Sequence, residues 1–388
     1  MKILHCCLAA FYIDNYSYQE NILPRHHQIM GHKVKILASS ETYINNRDLG
    51  YTESKIYYNE DNIEVTRIPY VSYMPSFLVR KLRLYKGIYQ YLISFQPDII
   101  FIHDCQFLSI YSIAKYARSN TVKIYIDTHT DFINSARSWL SRIVLHKIIY
   151  KICCKIIDKY TFKYFGTLPL RIDFLENVYG INKSKIELLP FGVDDSLFKN
   201  SEKNSIRINQ RKKLGFSDKD FVIISGGKID LRKNIHILIE AFMKIKNQST
   251  NYNLKLLVFG KPAKNLEDFI FKISSCDDIT YHEWIASNEI YKYFLAADIA
   301  IFPGTHSVLW EEAVGLGIPC VFKSWEGIRH VDLGGNCIFL NTVTPEKLEE
   351  IIQYIINSPT DFKRMKEIAN LLGPENFSYS SIAKKSLF

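Results

Sequence analysis

The chain has 388 residues, 47% of them hydrophobic and 23% charged, with a formal net charge of +9. These proportions exclude a disordered or fibrous polypeptide, and the length suits two domains that each bury a core. The positive balance is compatible with an anionic substrate or an anionic lipid surface; no nucleic-acid-binding module is recognisable, so no nucleic-acid partner is expected.

The opening Met1-Lys2 and the apolar run to Ile13 read as a first buried strand. One basic residue precedes the run and no small-x-small cleavage site follows, which argues against a signal peptide. Strands are then predicted over 33–39, 63–68, 98–103, 122–127, 164–167 and 186–190, with amphipathic helices between several of them, such as 21–30 and 109–118. Apolar Ile- and Val-rich runs that each lead into a helix imply a parallel sheet covered on both faces. Residues 199–213 are polar and read as a linker with a short exposed helix. The alternation restarts with strands over 221–225, 255–259, 279–282, 299–302, 320–323 and 338–340. The predicted fold is therefore α/β, two doubly wound parallel-sheet domains facing a central cleft. Residues 1–198 would form the first and 199–374 the second, with a helix over 375–388 packing back on the first. Ligands in such sheets bind at the carboxyl ends of the strands.

Eight cysteines, at 6, 7, 105, 153, 154, 276, 320 and 337, form no C-x-x-C pair or zinc-type spacing. They read as buried thiols of a cytosolic protein. No uninterrupted apolar stretch of about 18 residues predicts a membrane span.

Gly226-Gly227-Lys228 through Lys233 lies between a predicted strand and a predicted amphipathic helix over 234–246. A glycine pair at a strand end admits a bulky anion to the backbone, and two cations flanking the turn neutralise a diphosphate. Further on, the segment from Asp298 to Ala313 supplies a second strand, a polar turn and a helix start that carries Glu312. Two cations for a diphosphate and a carboxylate for a ribose diol are the needs of a nucleotide-sugar site. Asp218-Lys-Asp220 resembles a metal motif but sits in a polar turn without a partner ligand, and no metal or other cofactor is expected.

Taken in order, several segments resemble glycosyltransferase family 4, retaining enzymes with the GT-B fold of two facing Rossmann-like domains. They are Met1-Lys-Ile-Leu, Gly31-His-Lys-Val-Lys-Ile36, Asp127-Thr-His-Thr-Asp131 and Ile186-Glu-Leu-Leu-Pro-Phe-Gly-Val-Asp194. Gly227-Lys228 to Lys233, Leu238-Ile-Glu-Ala-Phe242, Leu257-Val-Phe-Gly260, Phe302-Pro303 and Glu312-Ala313 to Pro319 follow. The resemblance implies a sugar transfer from a nucleotide-diphosphate donor to a glycan or lipid-linked acceptor, in bacterial surface polysaccharide or lipopolysaccharide assembly. It implies that Lys228, standing where the family has arginine, and Lys233 grip the diphosphate, and that Glu312 binds the ribose hydroxyls. His129 would stand near the donor sugar and its reacting centre, with Asp131 helping to position the acceptor. Gly227 would admit the diphosphate, and backbone near Trp284-Ile285 would meet the base.

The family's first glutamate is absent: eight residues before Glu312 stands Gly304, and the turn is three residues shorter than usual. In its place Ser307 is the expected N-cap, with the N–H groups of Ser307 and Val308 toward the β-phosphate, and His306 either touches the sugar or fills the turn. The family's N-terminal Gly-Gly loop is also absent. Residues 14–21 stand instead, an aromatic-rich stretch that either handles the acceptor, through Tyr18, or caps a helix with Ser17 and Glu20 as a capping box. Two other readings of the whole remain: a sugar-nucleotide epimerase of the same fold, or a non-catalytic nucleotide-sugar-binding partner subunit.

Lys147, Lys151, Lys155, Lys159 and Lys163 recur every fourth residue beside Ile148, Ile149, Ile152, Ile156 and Ile157, with Arg137 and Arg142 upstream. A second basic and aromatic segment runs from Arg80 to Lys86. The stripe is either a peripheral contact with the anionic inner face of the cell membrane or the solvated face of a packed helix.

Overall fold

A computed structural model of the protein describes residues 1–44, 48–131, 141–246, 253–273 and 276–388, without side-chain detail for 141–143. It divides into two compact units, Met1–Pro190 with Ala383–Phe388, and Phe191–Ile382.

In the first unit the strands are β1 (Lys2–Cys7), β2 (Lys33–Ser39), β3 (Glu41–Ile44), β4 (Asp48–Tyr51), β5 (Ile56–Tyr58), β6 (Glu64–Ile68), β7 (Ile99–His103), β8 (Lys123–Thr128), β9 (Thr161–Gly166) and β10 (Ile186–Leu188). Eight of them form one sheet in the order β10-β9-β8-β7-β1-β2-β6-β5, parallel except for the β5–β6 pair. The short antiparallel β3–β4 hairpin stands apart and has no counterpart in the sequence reading. Ile3, Leu4, Cys6 and Cys7 of β1 are buried, which is how the apolar opening run is used.

The second unit holds β11 (Asp220–Gly226), β12 (Asn253–Phe259), β13 (Ile279–His282), β14 (Ile299–Phe302), β15 (Cys320–Lys323) and β16 (Cys337–Leu340). All pair in parallel, in the order β13-β12-β11-β14-β15-β16. Every residue of β11 is buried, as expected for a central strand covered on both faces. The chain runs outward from β11 through β12 to β13, then returns to lay β14 against the other edge of β11. Strand order reverses there, so a crevice opens at the carboxyl ends of β11 and β14.

Two boundaries differ from the sequence reading. Residues 191–198 and 375–382 group with the second unit. Val193 N–H donates to the Phe377 carbonyl at 2.8 Å, Tyr379 N–H to the Val193 carbonyl at 3.0 Å, and Gly192 lies where a Cβ would strike the Phe377 carbonyl. Residues 199–213 are not a linker but chiefly a helix, Lys203–Leu214, whose Arg211 is buried. Arg207 and Arg211 reach the Asp298 carboxylate at 2.6 and 3.3 Å, and that carboxylate also accepts from Val222 N–H at 2.9 Å. The polar composition is spent on pinning a helix to the base of β11 and β14. Among the described residues no helix is long and apolar enough to cross a membrane.

Gly227, with φ +104°, and Gly260, with φ +127°, bring the ends of β11 and β12 together, and a Cβ on Gly260 would come within 1.8 Å of the Gly227 carbonyl oxygen. Gly260→Ala combines that clash with a backbone region closed to L side chains, so it should cost about 2–4 kcal/mol. The check is a lowered thermal midpoint of the isolated protein; an unchanged midpoint would refute the close approach.

Candidate functional site

In the second unit the turns after β11 and β14 interlock at the crevice. Gly304 sits on the backbone of Lys233, where a Cβ would come 2.3 Å from the Lys233 Cα. Thr305 N–H donates to the Arg232 carbonyl at 3.0 Å, and the Asn234 amide donates to the Pro303 carbonyl at 3.0 Å. Lys233 Nζ donates to the carbonyls of Thr305 and His306, both at 2.8 Å. An ammonium has three donors, so two fix the turn and one is left for a ligand. Partial burial lowers the Lys233 pKa to about 8. Lys228, one residue past Gly227, is exposed, and among the described residues its ammonium makes no hydrogen bond or ion pair. The two cations thus stand on one turn, one anchored and one available.

The helix that follows the β14 turn is Leu309–Gly315, and its cap is Val308, without a side-chain cap bond. Ser307 therefore does not cap it as the sequence suggested; its carbonyl instead accepts from Trp310 N–H at 2.9 Å.

His306 is occupied. Its Nε2 lies 2.8 Å from Glu311 Oε1, and His330 Nε2 reaches the same oxygen at 2.8 Å. Glu311 is buried, which alone would raise its pKa, but the two imidazoles reverse that and hold it near 2. Of the two roles the sequence left open for His306, contact with Glu311 favours filling the turn, at least for one ring nitrogen. Glu311 and His330 went unnoticed in the sequence because the Glu311-Glu312 pair does not say which carboxylate faces inward, and His330 stands in a polar loop. These three residues are close enough to hold a metal ion. Glu311 Oε2 and His330 Nδ1 are buried without partners.

Glu312 points elsewhere. It is half-buried, and among the described residues its carboxyl has no hydrogen-bond partner. Burial, then the charges of Glu311 and Asp194, push its pKa up to about 8. At the neighbouring strand ends Gly260 N–H donates to the His282 carbonyl at 2.9 Å, Trp284 is 64% exposed and Ile285 is buried. Backbone beside an exposed indole is thus presented at the carboxyl end of β13.

In the first unit β8 ends at Thr128, and His129 follows. His129 Nε2 lies 3.4 Å from Asp127 Oδ2, and its N–H donates to Asp104 Oδ2 at 3.4 Å. Burial lowers its pKa, but Asp127, Glu20 and Asp104 outweigh that and raise it to about 9. His129 is therefore a cation at neutral pH. Its contribution to stability is present below about 6.5, the ordinary value, and is lost as pH rises through about 9. Asp131 is buried and paired with Arg171 Nε at 3.2 Å, so its charge is already matched. Glu20, His103 and His129 also approach within metal-ligand range. Both ring nitrogens of His103 are engaged, with Asp127 and with His5, which leaves it no lone pair for an ion.

Tyr18, not Ser17, is the backbone cap of the helix Gln19–Ile29, and its side chain makes no cap bond. Its exposed ring lies 5.2 Å from that of Tyr16, which in turn meets Tyr43 of β3 at 5.5 Å. Below them Asp14 is held by Tyr57 and by Arg67 at 3.2 Å.

Residues 206–371 match the family described as glycosyl transferases group 1. Mannosylfructose-phosphate synthase of Agrobacterium fabrum is 22% identical over 258 residues, 63% of this chain and 54% of the relative. The chain spans about half the length of the first curated relatives it matches. WaaG, a glycosyltransferase involved in lipopolysaccharide biosynthesis, superposes with a TM-score of 0.63 at 15% identity, over 99% of this chain and 98% of WaaG. HepE of Anabaena, solved in complex with UDP, gives 0.62 at 13% identity over 99% and 98%. The fold is therefore the two-domain GT-B fold of glycosyltransferases, and the group 1 segment lies wholly within the second unit.

Because the folded protein raises the Glu312 pKa, the ionised carboxylate costs stability increasingly as pH climbs from about 4.5 through 8. Glu312→Gln should raise the thermal midpoint by roughly 2 °C or more at pH 9 and leave it unchanged at pH 4.5. Scanning calorimetry at the two pH values decides; an equal shift at both would show that the carboxyl is not strained by its surroundings.

Proposed function

We propose that the protein is a retaining glycosyltransferase that moves a sugar from a nucleotide-diphosphate donor to a glycan or lipid-linked acceptor in bacterial surface polysaccharide or lipopolysaccharide assembly. The observation that carries this reading is the interlocked turn pair at the β11/β14 crevice. Among the described residues it presents Lys228 unpaired, Lys233 with a spare donor, and Glu312 with an unpartnered carboxyl. The match of this segment to group 1 glycosyl transferases, and UDP bound to a protein of the same fold, support the assignment.

In this reading Lys228 and Lys233 take the diphosphate and Gly227 lets it approach the backbone. Glu312 binds the ribose diol, and the backbone at Trp284-Ile285 and Gly260 meets the base. The backbone N–H groups of Ser307 and Val308 face the β-phosphate, and His306 keeps the turn in shape through Glu311. His129, a cation, is assigned to the sugar side of the reaction, and Tyr18 with its aromatic neighbours to the acceptor. The barrier falls chiefly because fixed positive charge meets the charge that develops on the departing diphosphate, a term that needs no reorganisation during reaction. Removing one such donor costs on the order of 100-fold in turnover.

Lys228→Ala should lower turnover of the purified chain by about that factor, and His129→Ala should remove the loss of activity expected above about pH 9. A titration panel of UDP, GDP and ADP identifies the base. If both variants form product at the rate of the unaltered protein, the catalytic reading is wrong; turnover of the donor with no acceptor present would favour an epimerase.

The basic stripe supports a peripheral membrane contact. Ile148 and Ile152 are 51% exposed, flanked by exposed Lys147, Lys155 and Lys159, and the residues from Lys147 to Ile156 line a shallow groove of about 480 Å³. Lys163 is not on this stripe: it lies in β9 and pairs with Glu187 at 2.7 Å. Arg137 lies outside the described residues, as does the side chain of Arg142. Each surface lysine contributes ~1 kcal/mol on anionic lipid. Lys147→Glu with Lys159→Glu should therefore weaken binding to anionic vesicles at least about tenfold, and salt should release the unaltered protein. Vesicle binding indifferent to salt and to lipid charge would remove this contact from the proposal.

A further inference from the structure

A line of buried polar side chains runs through the first unit and ends at His129. His27 Nδ1 lies 3.0 Å from His5 Nε2, and His5 Nδ1 lies 3.0 Å from His103 Nε2. His103 Nδ1 lies 2.9 Å from Asp127 Oδ2, the oxygen that also faces His129 Nε2 at 3.4 Å. At the far end His27 Nε2 meets Ser386 Oγ at 2.9 Å. His5, His27, His103 and Asp127 are all 0% exposed.

We propose that His103 and His5 are positioning residues for His129, setting the orientation and charge of the Asp127–His129 pair through a chain of fixed tautomers. The proposal rests on the reading of His129 as a group that acts at the reacting centre. An ionised carboxylate only accepts, so His103 carries a proton on Nδ1. At the far end His27 Nε2 also faces the Ala383 carbonyl at 3.3 Å, which only accepts, and the Ser386 hydroxyl already donates to that carbonyl at 2.8 Å, so His27 donates from Nε2. His27 Nδ1 then accepts from His5 Nε2, and His5 Nδ1 accepts from His103 Nε2. His5 and His27 each have one allowed tautomer, and His103 donates from both nitrogens beside the Asp127 charge.

Burial supports the neutral rings: it holds the pKa of His27 near 3 and that of His5 well below its ordinary value. The same burial would hold Asp127 protonated, but His103 and His129 overcome it and keep the carboxylate ionised. Gln19 Nε2 donates to the same Oδ2 at 2.8 Å, which with His103 fixes the carboxylate rotamer. His129 also faces the carboxylates of Glu20 and Asp104, from the helix Gln19–Ile29 and from the end of β7. A core that needed only volume would be better served by apolar side chains, since burying several polar rings in a sheet made of Ile and Phe stabilises nothing unless every nitrogen is satisfied. Here every ring nitrogen of His5, His27 and His103 has a partner, and the last member of the line, His129, is the one histidine of the series with an exposed edge.

The test has two arms. In the unaltered protein, nitrogen-15 NMR of the imidazoles should place the proton on Nε2 of His5 and His27 and protons on both nitrogens of His103; a proton on Nδ1 of His5 or His27 overturns the chain. In the second arm His103→Phe should lower kcat roughly 10- to 100-fold with the donor KM within about twofold, and move the alkaline limb of the pH–rate profile to lower pH. His5→Phe should do so less, and His103→Asn, which returns an N–H to Asp127, should recover part of the loss. An unchanged pH profile in His103→Phe, whatever its thermal midpoint, would reduce the line to packing. If the unaltered protein makes no product while this proton pattern holds, it is the transferase reading that fails and not the chain.

Discussion

The crevice of the second unit depends on one ammonium group. Lys233 bonds two carbonyls of the β14 turn while its own backbone packs against Gly304, so the turns on either side of the sheet reversal form a single unit. Parallel sheets always leave an opening at such a reversal, but the opening is useful only if its walls are rigid. Here the walls are loops, which are the least rigid parts of an α/β unit, and a partly desolvated cation holds them. The glycines at 227, 260 and 304 are the counterpart of that clamp, since each lies where a Cβ would meet its neighbours.

The two units treat their charged groups differently. In the second, Glu311 is neutralised by two imidazoles and Glu312 is left without a partner beside it. Two adjacent carboxylates therefore have pKa values near 2 and 8. Environments that drive like groups apart in this way give them separate tasks, one holding structure and the other meeting ligand. In the first unit the charge is concentrated on Asp127, and the surrounding imidazoles are arranged around it.

Much of this was legible in the chain. The alternation of Ile- and Val-rich runs with helical stretches, broken by Gly226-Gly227 and by the turn at Pro303, located both parallel sheets and the residues at their carboxyl ends. His129 and Lys228 needed only a strand end to place them. What stayed hidden involves partners far apart in sequence. His5, His27, His103 and Asp127 come from three strands and a helix, and no spacing rule links them. The available signal was a polar residue inside each of two otherwise apolar strands, Lys2–Cys7 and Ile99–His103. The helix Lys203–Leu214 was misread for the opposite reason: its polarity suggested solvent, whereas Arg207 and Arg211 face the Asp298 carboxylate and backbone carbonyls. The expected Ser307 cap is one residue out: the helix is capped at Val308, and Ser307 contributes its carbonyl to Trp310 N–H.

A carboxyl that stays protonated near neutrality gives one hydrogen bond and takes another, so Glu312 in that form would meet a vicinal diol as both donor and acceptor. Losing its proton removes the donor and adds a negative charge. On the proposed reading, ambient acidity thereby becomes an input to how firmly the crevice holds its sugar nucleotide, through a single carboxyl.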